Sequence, residues 1–401
     1  MAKPLTVEVA IVGGGPAGLT AAIALASAGI ETALIARRPA TDHRTTALLS
    51  GSVTALETLG AWAGCAAQAA PLRIMRIVDA TARLVRAPEV SFAASEIGLD
   101  AFGHNIENRH LLAALDARAT ELTSLIRVED EARAVEANES DVIISLKGGS
   151  SVAARLAIGA DGRRSLCRSA AGIESEGHIY PQTALTCNVA HTRPHRDTST
   201  EFHTENGPFT LVPLPGSRSS LVWVAEPGEA ERLAALGDET LSDEIEQHSH
   251  SILGKIALEP GRGAFPLAVE TVRTFGRHRI ALIGEAAHLI PPIGAQGLNL
   301  GLRDAACIGE LVVSARRDGS DIGANDLLAR YDTLRRADVK SRTFAVDLLN
   351  RTLLSDFLPV QSARGLGLYL IDRIGPLRRA VLREGVAPAA SQPRLMRGEA
   401  L

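Results

Sequence analysis

The run Gly13-Gly14-Gly15-Pro16-Ala17-Gly18 constrains this chain more than any other feature, because it joins an apolar, strand-like segment at 5–12 to an Ala/Leu-rich helix at 16–28. With a second strand at 31–36 the opening is a complete βαβ unit, the crossover that parallel strands need. Gly13 permits the tight turn, Gly15 lets backbone N–H groups approach a pyrophosphate, and Gly18 lets the helix pack on the strand. The helix start at Pro16 and Ala17 adds roughly half a unit of positive charge. A dinucleotide is therefore expected at Gly13, Gly15, Pro16, Ala17 and Gly18. The acid that would hold its ribose, roughly 20 residues on, is missing. Ala36 stands there, followed by Arg37 and Arg38. Two readings remain open: an NADP-type site in which Arg37 meets a 2′-phosphate, or a flavin dinucleotide held by other contacts.

The stretch from 9 to 30 carries no charge and has the length of a bilayer span. Its glycines and Pro16 would break a lipid-exposed helix, and Glu8 interrupts the apolar run that a secretory signal needs. A cytoplasmic chain is expected. With 42 basic against 46 acidic side chains the net charge is -4, which argues against a nucleic-acid partner. Cys65, Cys167, Cys187 and Cys307 show neither CxxC nor metal-ligand spacing, so reduced thiols are expected and a metal site is not.

At roughly 100 to 200 residues per domain, the chain has room for two. The spacing predicts helices over 50–59 and 108–122, the second behind an Asn108 cap, and strands over 142–146 and 152–158. From 183 to 265 the texture changes, with β-like runs at 185–189, 200–203, 209–214 and 221–224 separated by Pro and Gly, as in an antiparallel sheet. A helical pair at 229–236 and 241–253 lies within that region, and a strand at 279–283 returns to the earlier style. Helices dominate afterwards, at 298–315 and 326–354. The expected fold is α/β: a discontinuous Rossmann-like dinucleotide domain (1–73, 97–175 and 270–340), an antiparallel β-sheet substrate domain (74–96 and 176–269), and a C-terminal helical region (341–401).

Two further segments carry chemistry. Ile158-Gly159-Ala160-Asp161-Gly162-Arg163-Arg164-Ser165 ends an apolar strand in an Asp-Gly turn with a basic pair, a pattern equally at home in an ordinary turn. More specific is Gly284-Glu285-Ala286-Ala287-His288, which leads to Pro291-Pro292-Ile293-Gly294-Ala295-Gln296-Gly297-Leu298-Asn299-Leu300-Gly301-Leu302-Arg303-Asp304. A Gly/Pro loop opening a helix again aims N–H groups and a positive dipole end at a ligand, and a reduced isoalloxazine carries negative charge near N1 and C2=O. His288 reads as an acid–base residue or as a structural cap, and its position after a strand and before Pro291 favours the cap.

In order and at these separations the three segments resemble the flavin-dependent aromatic hydroxylases, the single-component FAD monooxygenases, and most closely their ubiquinone-biosynthesis branch. Asp42-His43-Arg44-Thr45-Thr46-Ala47-Leu48, Leu59-Gly60-Ala61-Trp62, Asn108-Arg109-His110-Leu111-Leu112, Gly207-Pro208-Phe209-Thr210-Leu211-Val212-Pro213-Leu214 and Leu221-Val222-Trp223 extend the likeness over nearly the whole chain. The resemblance implies FAD lying across the first domain with the antiparallel sheet as a substrate roof. By similarity, Gly13, Gly15 and Gly18 hold the pyrophosphate, Arg44 and Arg109 flank the flavin and its diphosphate, and Asp161 sits near the diphosphate and the approach of NAD(P)H. Gly284 and Glu285 meet the ribityl chain, with Glu285 where the family usually has Asp. Pro292, Gly294, Gly297, Leu298 and Asn299 line the isoalloxazine. Ala36 and Glu285 are the departures from the family pattern.

The activity implied is hydroxylation of an aromatic ring by NAD(P)H and O2 through a C4a-hydroperoxyflavin, the protein supplying position and dryness. An apolar roof at 209–214 would keep water out. With no second GxGxxG, the reductant docks transiently. The expected substrate is a lipophilic polyprenyl phenol on the way to ubiquinone. A same-fold alternative is a flavin-dependent reductase of isoprenoid double bonds, and another is a non-catalytic FAD-containing subunit of a quinone-synthesis complex. The tail at 357–386 mixes Leu and Ile with Arg364, Arg373, Arg378, Arg379 and Arg383. It reads as a helix packed on the domain or as a peripheral contact with the inner face of the membrane.

Overall fold

In the computed structural model the described residues are 4–37, 42–81, 86–292, 294–354, 367, 373–386 and 392–401. Arg38, Ile293 and Arg364 lie outside them. The expected opening forms as β1 (Leu5–Val12), α1 (Pro16–Ser27) and β2 (Thr32–Ile35). Next come β3 (Thr45–Leu49), α2 (Ser50–Thr58), β4 (Ala69–Pro71), β5 (Ile74–Asp79), β6 (Val90–Ala93), β7 (Gly103–Glu107) and α3 (Asn108–Thr120). The chain then forms β8 (Leu125–Val128), β9 (Ala132–Ala137), β10 (Val142–Leu146), β11 (Ser151–Gly159) and α4 (Leu166–Ala170). The middle of the chain supplies β12 (Ser175–His191), β13 (Thr198–Thr204), β14 (Gly207–Leu214), β15 (Arg218–Ala225), α5 (Pro227–Ala235), α6 (Asp238–His248), β16 (Ile256–Leu258) and β17 (Gly263–Val272). The last part holds β18 (Gly276–Arg277), β19 (Ile280–Leu282), β20 (His288–Leu289), α7 (Gln296–Arg317), α8 (Asn325–Leu354) and α9 (Gly375–Val386).

The first sheet has the order β18-β19-β11-β1-β2-β8, with β10 and β9 added beside β11. β19, β11, β1, β2 and β8 run parallel. From β1 the chain winds outward through β2 to β8, then returns to the other side of β1 as β11, so the direction of winding reverses between β1 and β11. In open α/β sheets ligands bind at such a point, beyond the carboxyl ends of the strands. β1 is covered on both faces, which is why Val9, Ala10 and Ile11 are wholly buried and the strand reads as a continuous apolar run.

The second sheet has the order β20-β17-β12-β15-β14-β13-β5-β6, with β16 on β12. It is antiparallel as expected except that β5 joins β13 in parallel. A parallel neighbour is available there because the chain makes a long excursion through the first sheet between the two strands. β20 also joins this sheet, through residues the sequence reading places in the first domain. A small sheet, β3-β7-β4, lies between the two larger ones, and Asn105 Nδ2 donates from β7 to Pro213 O at 2.9 Å and Ser220 Oγ at 3.0 Å.

Two local expectations change. The cap of α3 is Glu107, and Asn108 instead donates its Nδ2 to Asp42 Oδ2 at 2.9 Å. α6 stops at His248 because His250 and Ser251 take left-handed φ of 52° and 50°. The four cysteines are buried and unpaired. α9 docks one side on the protein: Leu382 is buried with Phe92 and Phe102, and Arg378 Nε donates to Glu96 Oε2 at 2.5 Å. The adjoining face exposes Leu377 and Val381, and Ile374 just before the helix is exposed as well. No helix among the described residues is long and apolar enough to cross a membrane.

Candidate functional site

The three motifs end on neighbouring strands. Gly13 follows β1, Ala160 and Asp161 follow β11, and Gly284 follows β19, so all three loops leave the same edge of the first sheet. Each glycine there meets a different constraint. A Cβ at Gly13, where φ is 117°, would lie 2.2 Å from Ala160 O, and one at Gly18 would lie 2.0 Å from Gly13 O. Gly15, the cap of α1, has nothing within 4 Å of such an atom, and neither does Gly297 in the first turn of α7. Gly13 and Gly18 are small to let the chain close on itself, whereas Gly15 and Gly297 border open space that a ligand can fill.

The start of α1 packs on the second turn of α7. A Cβ at Gly301 would sit 3.4 Å from Ala17 Cβ and 3.2 Å from Gly284 Cα. Gly301 is five residues into α7, about 7.5 Å along its axis from Gln296. The α7 start therefore lies about one and a half turns from that contact, with Gly284 (φ 59°) beside it, and the trough is the open space bordered by Gly15 and Gly297. Leu298 is half-buried, and Pro292 and Gly294 are exposed on the loop that leads into α7.

Asn299 is buried and its amide is saturated. Oδ1 accepts from Leu49 N at 2.8 Å and Ser52 Oγ at 2.7 Å, while Nδ2 donates to Ala47 O at 2.8 Å and Ala295 O at 2.6 Å. Four bonds exhaust the group. Its side chain has nothing left for a ligand, so it fastens the 45–52 segment to the start of α7.

The charged candidates divide into spoken-for and available. Asp161 caps its own turn, with Ser165 Oγ donating to Oδ1 at 2.6 Å and Cys167 N to Oδ2 at 3.1 Å. Its backbone nitrogen nonetheless lies beside Gly13. Arg37 turns outward to Glu131 at 3.0 Å, and Ala36, where an acid is missing, is packed so close that a Cβ at Gly14 would touch its methyl at 2.7 Å. Arg109 pairs with Glu107 at 2.8 Å, and Arg218 pairs with the other oxygen of that buried carboxylate at 3.0 Å. Burial works to raise the Glu107 carboxyl, and the two arginines overcome it and hold it below its usual range. Arg44 is anchored by Asp42, with Nη2 to Oδ2 at 2.8 Å. That bond raises the arginine further above its ordinary value, and Glu285 adds to it across the gap. Glu285 is exposed, and among the described residues no hydrogen bond or ion pair engages it. His288 begins β20 and caps no helix; its Nε2 lies 2.6 Å from buried Asp304 Oδ2.

The roof is the second sheet, and side-chain alternation decides which face looks inward. Leu185, Cys187, Phe202, Phe209, Leu211, Leu221 and Trp223 pack on the far side against Ala230, Leu233, Leu241 and Ile245 of α5 and α6. Phe209 and Leu211 are therefore core under those helices and cannot shield the trough. The inward face is identified by Asn188, whose Nδ2 donates to His43 O at 3.3 Å, by Ser220 under Asn105, and by Phe265, whose ring lies 5.8 Å from the Arg44 guanidinium carbon. Glu201 and His203 alternate with Phe202 and so share this inward face, with His203 Nε2 2.8 Å from Glu201 Oε1. Sequence reasoning missed this pair; an acid and a histidine two apart on a strand is the signal that marks it. A cavity of about 590 Å³ opens elsewhere, on the α5 and α6 side, between Trp223, His248, Glu229 and Glu244. Among the described residues no group of His, Cys, Asp and Glu is arranged to hold a metal.

Residues 6–343 match the family described as FAD binding domain. The chain is 36% identical to the ubiquinone hydroxylase UbiL of Rhodospirillum rubrum, over 98% of this chain and 92% of that one. It is 32% identical to the 3-demethoxyubiquinol 3-hydroxylase of Escherichia coli, over 94% and 97%. Among solved structures, the p-nitrophenol 4-monooxygenase PnpA of Pseudomonas putida shares the fold, with a TM-score of 0.79 at 17% identity over 96% of this chain and 100% of that one.

Proposed function

Because the chain belongs to the FAD binding domain family, in its branch of ubiquinone-biosynthesis hydroxylases, and is an FAD-dependent monooxygenase, we propose that it uses NAD(P)H and O2 to hydroxylate the ring of a polyprenyl phenol on the way to ubiquinone. The observation that carries the reading is the packing of the α1 start on the second turn of α7 at Ala17, Gly284 and Gly301, beside the open space at Gly15 and Gly297. The residues suit FAD: the open flank of Gly15 would take its diphosphate, Glu285, unpartnered among the described residues, would hold the ribityl hydroxyls, and the backbone of 294–299 would receive the isoalloxazine.

Bound flavin supplies the redox chemistry and the activation of O2. The protein's residues position and protect. Arg44, held by Asp42, sets a fixed positive charge opposite Glu285. Arg109 stays tethered to Glu107 at the rim. On the roof, Val222 and Thr186 offer a surface for an aromatic ring, and we assign the phenolic proton to Nδ1 of His203, whose Nε2 donates to the Glu201 carboxylate that orients the ring. The exposed row Leu377 and Val381 on α9, with Ile374 and Arg373 just before it, suits contact with an anionic membrane that stores the substrate.

The test is direct. The purified chain should be yellow, release FAD on denaturation, and add one oxygen atom to a polyprenyl phenol in an O2-dependent reaction that consumes NAD(P)H. Oxygen-independent saturation of prenyl double bonds would select the reductase reading. A yellow protein that supports a quinone-synthesis complex after its turnover is abolished would select the structural subunit.

A further inference from the structure

Beneath the trough runs an unbroken path of buried charge. Asp304 on α7 accepts the N–H of Gly284 on Oδ2 at 2.9 Å and Arg335 Nε of α8 on Oδ1 at 2.7 Å. Arg335 Nη1 donates to Asp338 Oδ2 at 2.8 Å. Asp338 Oδ1 accepts from Arg303 Nη1 at 3.1 Å and from Arg342 Nε at 2.9 Å. Arg342 Nη1 then donates to Gln296 Oε1 at 2.9 Å, the first residue of α7. The path thus begins at the turn before Glu285 and ends at the helix start that faces the isoalloxazine.

Among the described residues its charges do not balance. Three arginines, Arg303, Arg335 and Arg342, stand against two aspartates, Asp304 and Asp338, which leaves one positive charge with His288 counted as neutral. A protonated His288 would only increase the excess. The arginines are 8%, 3% and 8% exposed, so solvent screens them little. Arg303 Nε and Arg335 Nη2 are buried donors with no partner among the described residues. A purely structural network gains nothing from surplus buried charge, which costs desolvation without a counter-ion.

We propose that this surplus raises the reduction potential of bound FAD, acting through Gln296 and the start of α7 to favour the reduced, anionic flavin over the oxidised one. Arg342 is a positioning residue in this scheme, and the inference rests on the proposed site for FAD.

The experiment is the midpoint potential of FAD bound to the full chain, measured anaerobically against a reference dye in the unmodified protein and in Arg342→Gln, Arg342→Lys and Arg336→Gln. Arg336 lies on α8 and pairs outside the cluster with Asp332. Arg342→Gln should reduce the preference for reduced over oxidised FAD about tenfold, or ~30 mV for a two-electron couple. Arg342→Lys and Arg336→Gln should stay within about twofold. An unshifted Arg342→Gln, or an Arg342→Lys that falls as far, overturns the proposal. Should Arg342→Gln fail to retain FAD, Asp338→Asn removes a negative charge from the same cluster and should raise the potential; no rise there also overturns it. An unmodified chain that binds no FAD overturns the proposed function, whereas unmoved potentials in yellow protein overturn this inference alone.

Discussion

Asn299 Oδ1 accepts the backbone N–H of Leu49 at 2.8 Å although 250 residues separate the two. Together with the bonds to Ser52, Ala47 and Ala295 it closes the 45–52 segment onto the start of α7. Asn299→Ala leaves buried donors and acceptors unmet, so stability should fall by about 1–3 kcal/mol in urea unfolding. FAD should be lost on gel filtration as the segment loosens.

Gly15 and Gly18 sit three apart but should answer alanine differently. Gly18→Ala drives a methyl into Gly13 O and should destabilise the fold by about 1–3 kcal/mol. Gly15→Ala meets no protein atom within 4 Å, so the melting curve of the apoprotein should hardly move while affinity for FAD falls at least about tenfold, or ~1.4 kcal/mol. Equal loss of apoprotein stability in both would refute the reading of Gly15 as ligand-facing.

Burial works to raise the Asp338 carboxyl, but Arg335, Arg303 and Arg342 overcome it and hold it down to about 2 from an ordinary 3.8. A folded value below the unfolded one contributes stability above about pH 4 that disappears as pH falls toward 2, on the order of 2 kcal/mol. Urea unfolding of the unmodified chain against Asp338→Asn should therefore show a gap at pH 6 that narrows between pH 4 and pH 2. A gap independent of pH would contradict the assignment.

His203→Asn should leave FAD binding unchanged and lower kcat by about 10²-fold, with partial recovery at high pH, where the phenol ionises unaided. Loss of FAD together with activity would assign His203 to the fold instead.

Replacing Leu377 and Val381 on α9, and Ile374 just before it, by Ser leaves Arg378 and Leu382 docked, so the melting temperature should hold while co-sedimentation with anionic vesicles drops. Unchanged vesicle binding would remove α9 as the membrane contact.

Much of this architecture could be read from the chain alone because its causes are local. The βαβ opening follows from two apolar runs and a helix within 32 residues of each other, and the crowding at Gly13 and Gly18 follows from how tightly a strand can turn into a helix. The same holds for the α7 start after a Gly/Pro loop and for the change of texture at the second sheet. What could not be read depends on the path of the chain between distant points. No local pattern pairs Arg37 with Glu131, and only the tertiary structure brings the two within 3.0 Å. Phe209 reads as an apolar roof, yet the side on which α5 and α6 land put it in the core.

Sequence by itself determined where backbone must be bare and where helix ends must point, since steric exclusion and the peptide dipole act within a few residues. Only the tertiary structure decided which side chains remain available to a ligand and which are consumed by the protein. Asn299 is consumed by a segment 250 residues away and Glu285 is left free, because hydrogen bonds and ion pairs are settled by proximity in space, which no local pattern records.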